Sequence, residues 1–119
     1  MPHLLITDDE PTIRELLAEI AVGEGYTVAV AANIRQARIE IERQRPDMVL
    51  LDMMLPKRSG FLVLEKIKTL QNPPRVVMVT ANEGKRHQQY AEALGVDGYL
   101  LKPARLERLI TLSRDLLGA

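Results

Sequence analysis

The sequence predicts an α/β domain in which five parallel strands form one sheet with helices on both faces. Three observations lead there. Short apolar runs alternate five times with longer amphipathic stretches, the signature of a parallel sheet wrapped by helices. The runs themselves are nearly continuous in apolar residues, as strands buried on both faces must be. No linker, low-complexity segment or internal repeat interrupts the pattern over 119 residues, a length that fits one domain.

The elements follow in order. His3 to Thr7 reads as a buried strand that ends in the acidic cluster Asp8-Asp9-Glu10. Pro11 suits the first turn of a helix, where its missing N–H costs nothing. Ile13, Leu16, Leu17, Ile20 and Ala21 then keep helical spacing until Gly23 or Gly25 stops the helix. Tyr26 to Ala31 is a second, Val-rich strand, and Asn33 caps a helix running to about Gln44, with Ile34, Ala37, Ile39 and Ile41 as its apolar positions. Met48-Val49-Leu50-Leu51 is a third strand ending at Asp52. Met53 to Gly60 reads as a loop, and Phe61, Leu62, Leu64, Ile67 and Leu70 mark the next helix. Pro73-Pro74 breaks the chain before a strand from Arg75 to Val79, whose exit loop is Thr80-Ala81-Asn82. A polar helix from Glu83 to Leu94 ends at Gly95. Gly98 to Leu101 is the fifth strand, followed by Lys102-Pro103 and a last helix from about Ala104 to Leu117.

Composition excludes several functions. Sixteen Lys and Arg balance sixteen Asp and Glu, which argues against non-specific nucleic-acid binding. One Phe, three Tyr and no Trp leave no platform for stacking bases. With no Cys, disulfides, thiolate metal sites and cysteine nucleophiles are out. No apolar run has the length of a membrane span, and the N-terminus carries no signal-peptide pattern, so a soluble cytoplasmic protein is the expectation.

In an open parallel sheet, ligands bind beyond the C-terminal strand ends. Here those ends deliver Asp8 and Asp9, Asp52, Thr80 and Lys102. Any single acid after a strand is ordinary as a turn former. Four separate strands each ending in a chemically useful group are not. Three carboxylates in one cleft repel one another, and a hard divalent ion such as Mg²⁺ relieves that repulsion. Lys102 adds a second positive charge and Thr80 a hydroxyl donor, so the set can hold a phosphoryl group. Asp52 is the best nucleophile, because it stands alone at the end of the central strand while Asp8 and Asp9 form a pair suited to the metal.

These residues resemble the CheY-like receiver domains of two-component response regulators. The match rests on Asp8-Asp9, Leu51-Asp52-Met53-Met54-Leu55-Pro56 with Gly60, Thr80-Ala81 and Lys102-Pro103, in family order over essentially the full length. The resemblance implies a flavodoxin-like sheet in strand order 2-1-3-4-5. It implies that Asp52 accepts phosphate from a sensor histidine kinase, a phosphotransfer protein or a small phosphodonor. Asp9 and Asp52 would ligate Mg²⁺ directly together with the backbone carbonyl of Met54, and Asp8 would act mainly through water. Lys102 would pair with the acceptor and then with the phosphoryl oxygen. Thr80 would move onto the phosphoryl group, and Tyr99 would rotate inward behind it. The output surface would be the fourth helix, fifth strand and fifth helix, facing a downstream effector or output domain. Residues 1–119 would be this one domain, with nothing left over for an output domain.

Some positions depart from common family patterns. Ala104 stands where Phe is frequent, and Ser59 where an acid is common. Met54 and Asn82 occupy positions that tune phosphoryl lifetime in the family, and Met54 cannot orient an attacking water. Two other functions compete. A haloacid-dehalogenase-like phosphohydrolase would need a second Asp two residues after the nucleophile, where this chain has Met54. A degenerate receiver serving only as a protein-binding scaffold would have lost an acid or Lys102, and neither is lost. Gly23-Glu24-Gly25 follows a helix, the wrong context for a dinucleotide fingerprint. His3 and His87 lack metal-ligand spacing, and the pairs Lys57-Arg58 and Lys85-Arg86 read as solvated surface. Leu106, Leu109, Ile110, Leu112, Leu116 and Leu117 exceed one core-facing stripe, which makes a second copy of the chain a candidate partner for the last helix.

Overall fold

The computed structural model describes residues 2–55, 58–80, 85–101 and 106–117. Strands β1 (His3–Thr7), β2 (Thr27–Ala31), β3 (Met48–Leu51), β6 (Arg75–Thr80) and β7 (Gly98–Leu101) form a parallel sheet in the order β2-β1-β3-β6-β7. Two-residue strands β4 (Met54–Leu55) and β5 (Arg58–Ser59) form a separate antiparallel pair. With that pair set aside, the order of the main strands is the expected 2-1-3-4-5. Register is continuous through the centre, where Leu5 pairs with both Ala29 and Val49, and Val49 in turn with Val76.

The helices are α1 (Pro11–Gly23), α2 (Ile34–Arg43), α3 (Gly60–Lys68), α4 (Lys85–Ala93) and α5 (Leu106–Leu117). Because strand side chains alternate, the sheet feeds two separate cores. Leu5, Val49, Leu51, Val76 and Met78 pack with Ala37 of α2, Val63, Leu64 and Ile67 of α3, and Ala91 of α4. Leu4, Ile6, Leu50, Val77 and Val79 pack on the other face with Leu17 and Ala21 of α1, backed by Leu112, Leu116 and Leu117 of α5. Both central strands are fully buried. Each such Leu, Ile or Val contributes about 1.5–3 kcal/mol relative to an exposed side chain.

Local signals place the ends of these elements. Pro11 opens α1. The Asn33 side chain caps α2 by accepting from the Gln36 N–H at 2.9 Å, and Gln36 Oε1 in turn accepts from the Ala32 N–H at 2.7 Å. At the end of α1, Gly25 takes φ +89°, Tyr26 N–H donates to Ala21 O and Gly25 N–H to Val22 O, a Schellman termination. Gly95 ends α4 in the same way, with Val96 N–H on Ala91 O. The α1 termination explains why β2 begins at Thr27 instead of Tyr26: the Tyr26 amide is committed to the helix, although its ring is buried.

Other expectations need correction. The segment from Met53 to Gly60 holds the β4–β5 pair and is not wholly loop. Ile39 and Leu62, counted among the apolar positions that mark their helices, are 52% and 41% exposed, and Val63, not counted among them, is buried. On α5, Leu112, Leu116 and Leu117 face the core and Ile110 is half-buried. The side chains of Leu106 and Leu109 lie outside the described residues.

Candidate functional site

Backbone pairing sets the acids. The Asp8 N–H donates to Ala31 O at 3.0 Å, extending the β1–β2 ladder by one residue. The Asp52 N–H donates to Thr7 O at 3.0 Å and does the same for β1–β3. The two central strands therefore end level, and their first residues outside the sheet are both aspartates. Asp8 and Asp52 are buried, Asp9 is exposed, and one carboxylate oxygen from each lies within 4.8 Å of the others.

Neighbouring backbone holds this arrangement. Asp8 Oδ1 accepts from the Glu10 N–H at 3.0 Å, an Asx turn that leads into α1. Arg14 Nη1 donates to the Asp8 carbonyl at 2.9 Å, tying the first turn of α1 to the same residue. Beyond Asp52, the β4–β5 pair carries the chain out and back, and the Gly60 N–H donates to Met53 O at 2.6 Å. The Gly60 Cα then lies so close to the Asp52 carbonyl that a Cβ would collide with that backbone. Glycine is thus the only residue type that lets α3 start where β3 ends. The sequence did not single out Arg14, because its partner is a backbone carbonyl and no charge pattern marks such a contact.

Three carboxylates at this separation carry a large electrostatic cost. Two unit charges 4–5 Å apart near a protein surface repel by roughly 3–4 kcal/mol. Oxygen donors from two strand ends suit a hard divalent cation, Mg²⁺ above all where phosphate is the other ligand. The donor set therefore fits such an ion.

The remaining predicted residues fall as follows. Met54 begins β4, its backbone paired with Ser59. Thr80 ends β6, paired with Leu101 at the end of β7, although its side chain lies outside the described residues. Lys102, Ala104, Ala81 and Asn82 also lie outside the described residues. Tyr99 on β7 pairs with Met78 and packs, half-buried, against the core shared by α3 and α4. Burial pushes its phenol above the usual value. The structure thus brings Asp8, Asp9 and Asp52 together and sets the ends of β6 and β7 beside each other.

Comparison with known proteins follows the same line. The response regulator receiver domain profile matches residues 4–114. The DNA-binding response regulator MtrA of Mycolicibacterium smegmatis is 33% identical over 112 residues, covering 94% of this chain and 49% of that protein. Sporulation initiation phosphotransferase F of Bacillus subtilis is 36% identical over 106 residues, covering 89% of this chain and 86% of that protein. Among solved structures, a CheY-like receiver domain protein from Methanospirillum hungatei superposes with a TM-score of 0.91 at 28% identity, covering 99% of this chain and 95% of that one. The chain spans about half the length of several curated relatives it matches, MtrA among them. No helix among the described residues is long and apolar enough to cross a membrane.

Proposed function

Because this chain belongs to the response regulator receiver domain family, we propose that Asp52 is its phosphoacceptor and that Asp8, Asp9 and Asp52 form the pocket in which transfer occurs. One observation carries this reading: the carboxylates of Asp8, Asp9 and Asp52 converge within 4.8 Å where two buried strands end. As a receiver domain the chain is a signalling module and not a conventional enzyme. It assists its own phosphorylation and dephosphorylation, and it acts in the cytoplasm.

An Asp52 carboxylate oxygen attacks the phosphorus of the donor. A P–O bond to Asp52 forms while the donor's bond to phosphorus breaks, and the electron pair leaves with the donor. With a histidine kinase or a phosphotransfer protein as donor, the leaving group is an imidazole. Asp9, Asp52 and the Met54 carbonyl would hold Mg²⁺ directly, and Asp8 would act through water. The chemistry such an ion would supply there is positive charge against the carboxylates and the phosphoryl oxygens. The Lys102 ammonium pairs first with the Asp52 carboxylate and then with a phosphoryl oxygen. The Thr80 hydroxyl donates to the phosphoryl group once it arrives. Its movement frees space for the Tyr99 ring, and the α4–β7–α5 surface changes for a downstream effector, an output domain or a second copy of the chain. Residues 1–119 act as one receiver domain that makes no direct nucleic-acid contact.

Beryllium fluoride with Mg²⁺ mimics the acyl phosphate without a donor. Amide NMR signals around Asp52, Thr80 and Tyr99 should shift on its addition, and Asp52→Asn should abolish the shifts. A wild-type spectrum that does not respond would reduce the chain to a protein-binding scaffold.

A further inference from the structure

On the sheet face away from α1, α2 and α3 leave a cleft of about 460 Å³ between them. It runs into an adjoining groove of about 400 Å³ that shares Ile34, Arg38, Glu42 and Lys66 with it. One stripe of α2 lines the cleft: Arg35, Arg38, Ile39 and Glu42 follow i, i+3, i+4, i+7 spacing. Leu62 and Lys66 answer from α3, one turn apart.

Two features mark this face as unfinished. Ile39 and Leu62 are about half exposed on opposite walls, although both sit on helices whose other large apolar side chains turn inward. In addition, three cations face one acid, and Arg35, Arg38 and Lys66 make no ion pair among the described residues. Elsewhere Arg43, Lys68, Arg75 and Arg114 each meet a carboxylate, while Arg14 and Arg45 donate to backbone carbonyls. In a chain of zero net charge, the cleft concentrates uncompensated positive charge around exposed apolar surface.

We propose that the α2–α3 cleft is a docking groove for an amphipathic helix of a partner protein, one with an apolar seam flanked by Glu or Asp. The apolar seam covers Ile39 and Leu62, and the acids on its flanks reach Arg35, Arg38 and Lys66. Nucleic acid would satisfy the cations but leave the apolar walls uncovered. None of Asp8, Asp9 and Asp52 lines this groove, nor does any residue of α4, β7 or α5.

The test uses the unphosphorylated chain and a fluorescent helical peptide of about 18 residues, with Leu at i, i+4, i+7 and i+11 and Glu on both flanks. Saturable binding by fluorescence anisotropy is expected, weakening as salt rises. Arg38→Glu should weaken it about tenfold, Arg35→Glu/Arg38→Glu further still, and Arg38→Gln less. Arg45→Glu, a reversal outside the cleft, should leave affinity unchanged. Matching thermal melts establish that the variants fold. No saturation up to about 1 mM peptide, or equal binding by wild type and the double variant, would overturn the proposal. So would self-association of the peptide-free chain that Arg38→Glu abolishes. That result would assign the groove to a second copy, through the exposed Glu15, Leu16 and Glu19 of α1.

Discussion

Two single residues set the limits of the acidic pocket. Thr7 ends β1, and its carbonyl receives the Asp52 N–H, yet its hydroxyl is buried with no hydrogen-bond partner among the described residues. An unpaired buried hydroxyl costs free energy that an isosteric methyl does not. Thr7→Val should therefore raise stability by about 1 kcal/mol, read as a melting temperature about 3–5 °C higher; a lower melting temperature would mean the hydroxyl has a stabilising role. Gly60 acts in the opposite sense. A methyl there meets the Asp52 backbone, which cannot yield as a flexible side chain would. Gly60→Ala should cost about 2–3 kcal/mol and weaken the beryllium fluoride response at Asp52. Wild-type stability and response together would show that the backbone there gives way freely. Neither effect was legible in the sequence. Thr7 reads as one more strand residue, and Gly60 reads as the last residue of a loop until the third dimension brings it against Asp52.

At the level of elements, the sequence was most informative where one side chain settles a backbone hydrogen bond. Asn33 and Pro11 predict their helix starts because capping and a missing N–H are local chemistry. The β4–β5 pair escaped because two-residue strands are too short to show periodicity. Ile39 and Leu62 escaped because helical spacing reports a face, while exposure depends on how closely the neighbouring helix approaches. Asp97, just before β7, joins elements that the sequence leaves unconnected. Its carboxylate accepts from the Val76 N–H at 2.8 Å, from Lys68 at 3.0 Å and from Arg75 at 3.2 Å. Burial alone would raise its pKa, but the Val76 N–H, Lys68 and Arg75 together outweigh that and hold it below the usual carboxylate range. A depressed folded pKa stabilises the fold at pH values above the unfolded one. The contribution disappears as pH falls through the folded value. Urea unfolding from pH 6 down to about pH 3 should show wild type losing more stability than Asp97→Asn. Parallel losses would place the acid sensitivity elsewhere.

For the whole molecule, the fold and the acid cluster come from one property of the chain. Apolar runs that stop at an aspartate are strands that end at a carboxylate, and parallel pairing brings those ends to one edge. That much is readable from Thr7-Asp8-Asp9 and Leu51-Asp52 in the sequence. The distance between the carboxylates was not, because it depends on β1 and β3 ending level, which is a matter of register. The most direct test is intact-protein mass spectrometry after incubation with a small acyl phosphate donor and Mg²⁺. A gain of one phosphoryl group is expected, dependent on Mg²⁺ and absent in Asp52→Asn. No gain in the wild type, or an equal gain in Asp52→Asn, would contradict the assignment of Asp52 as acceptor.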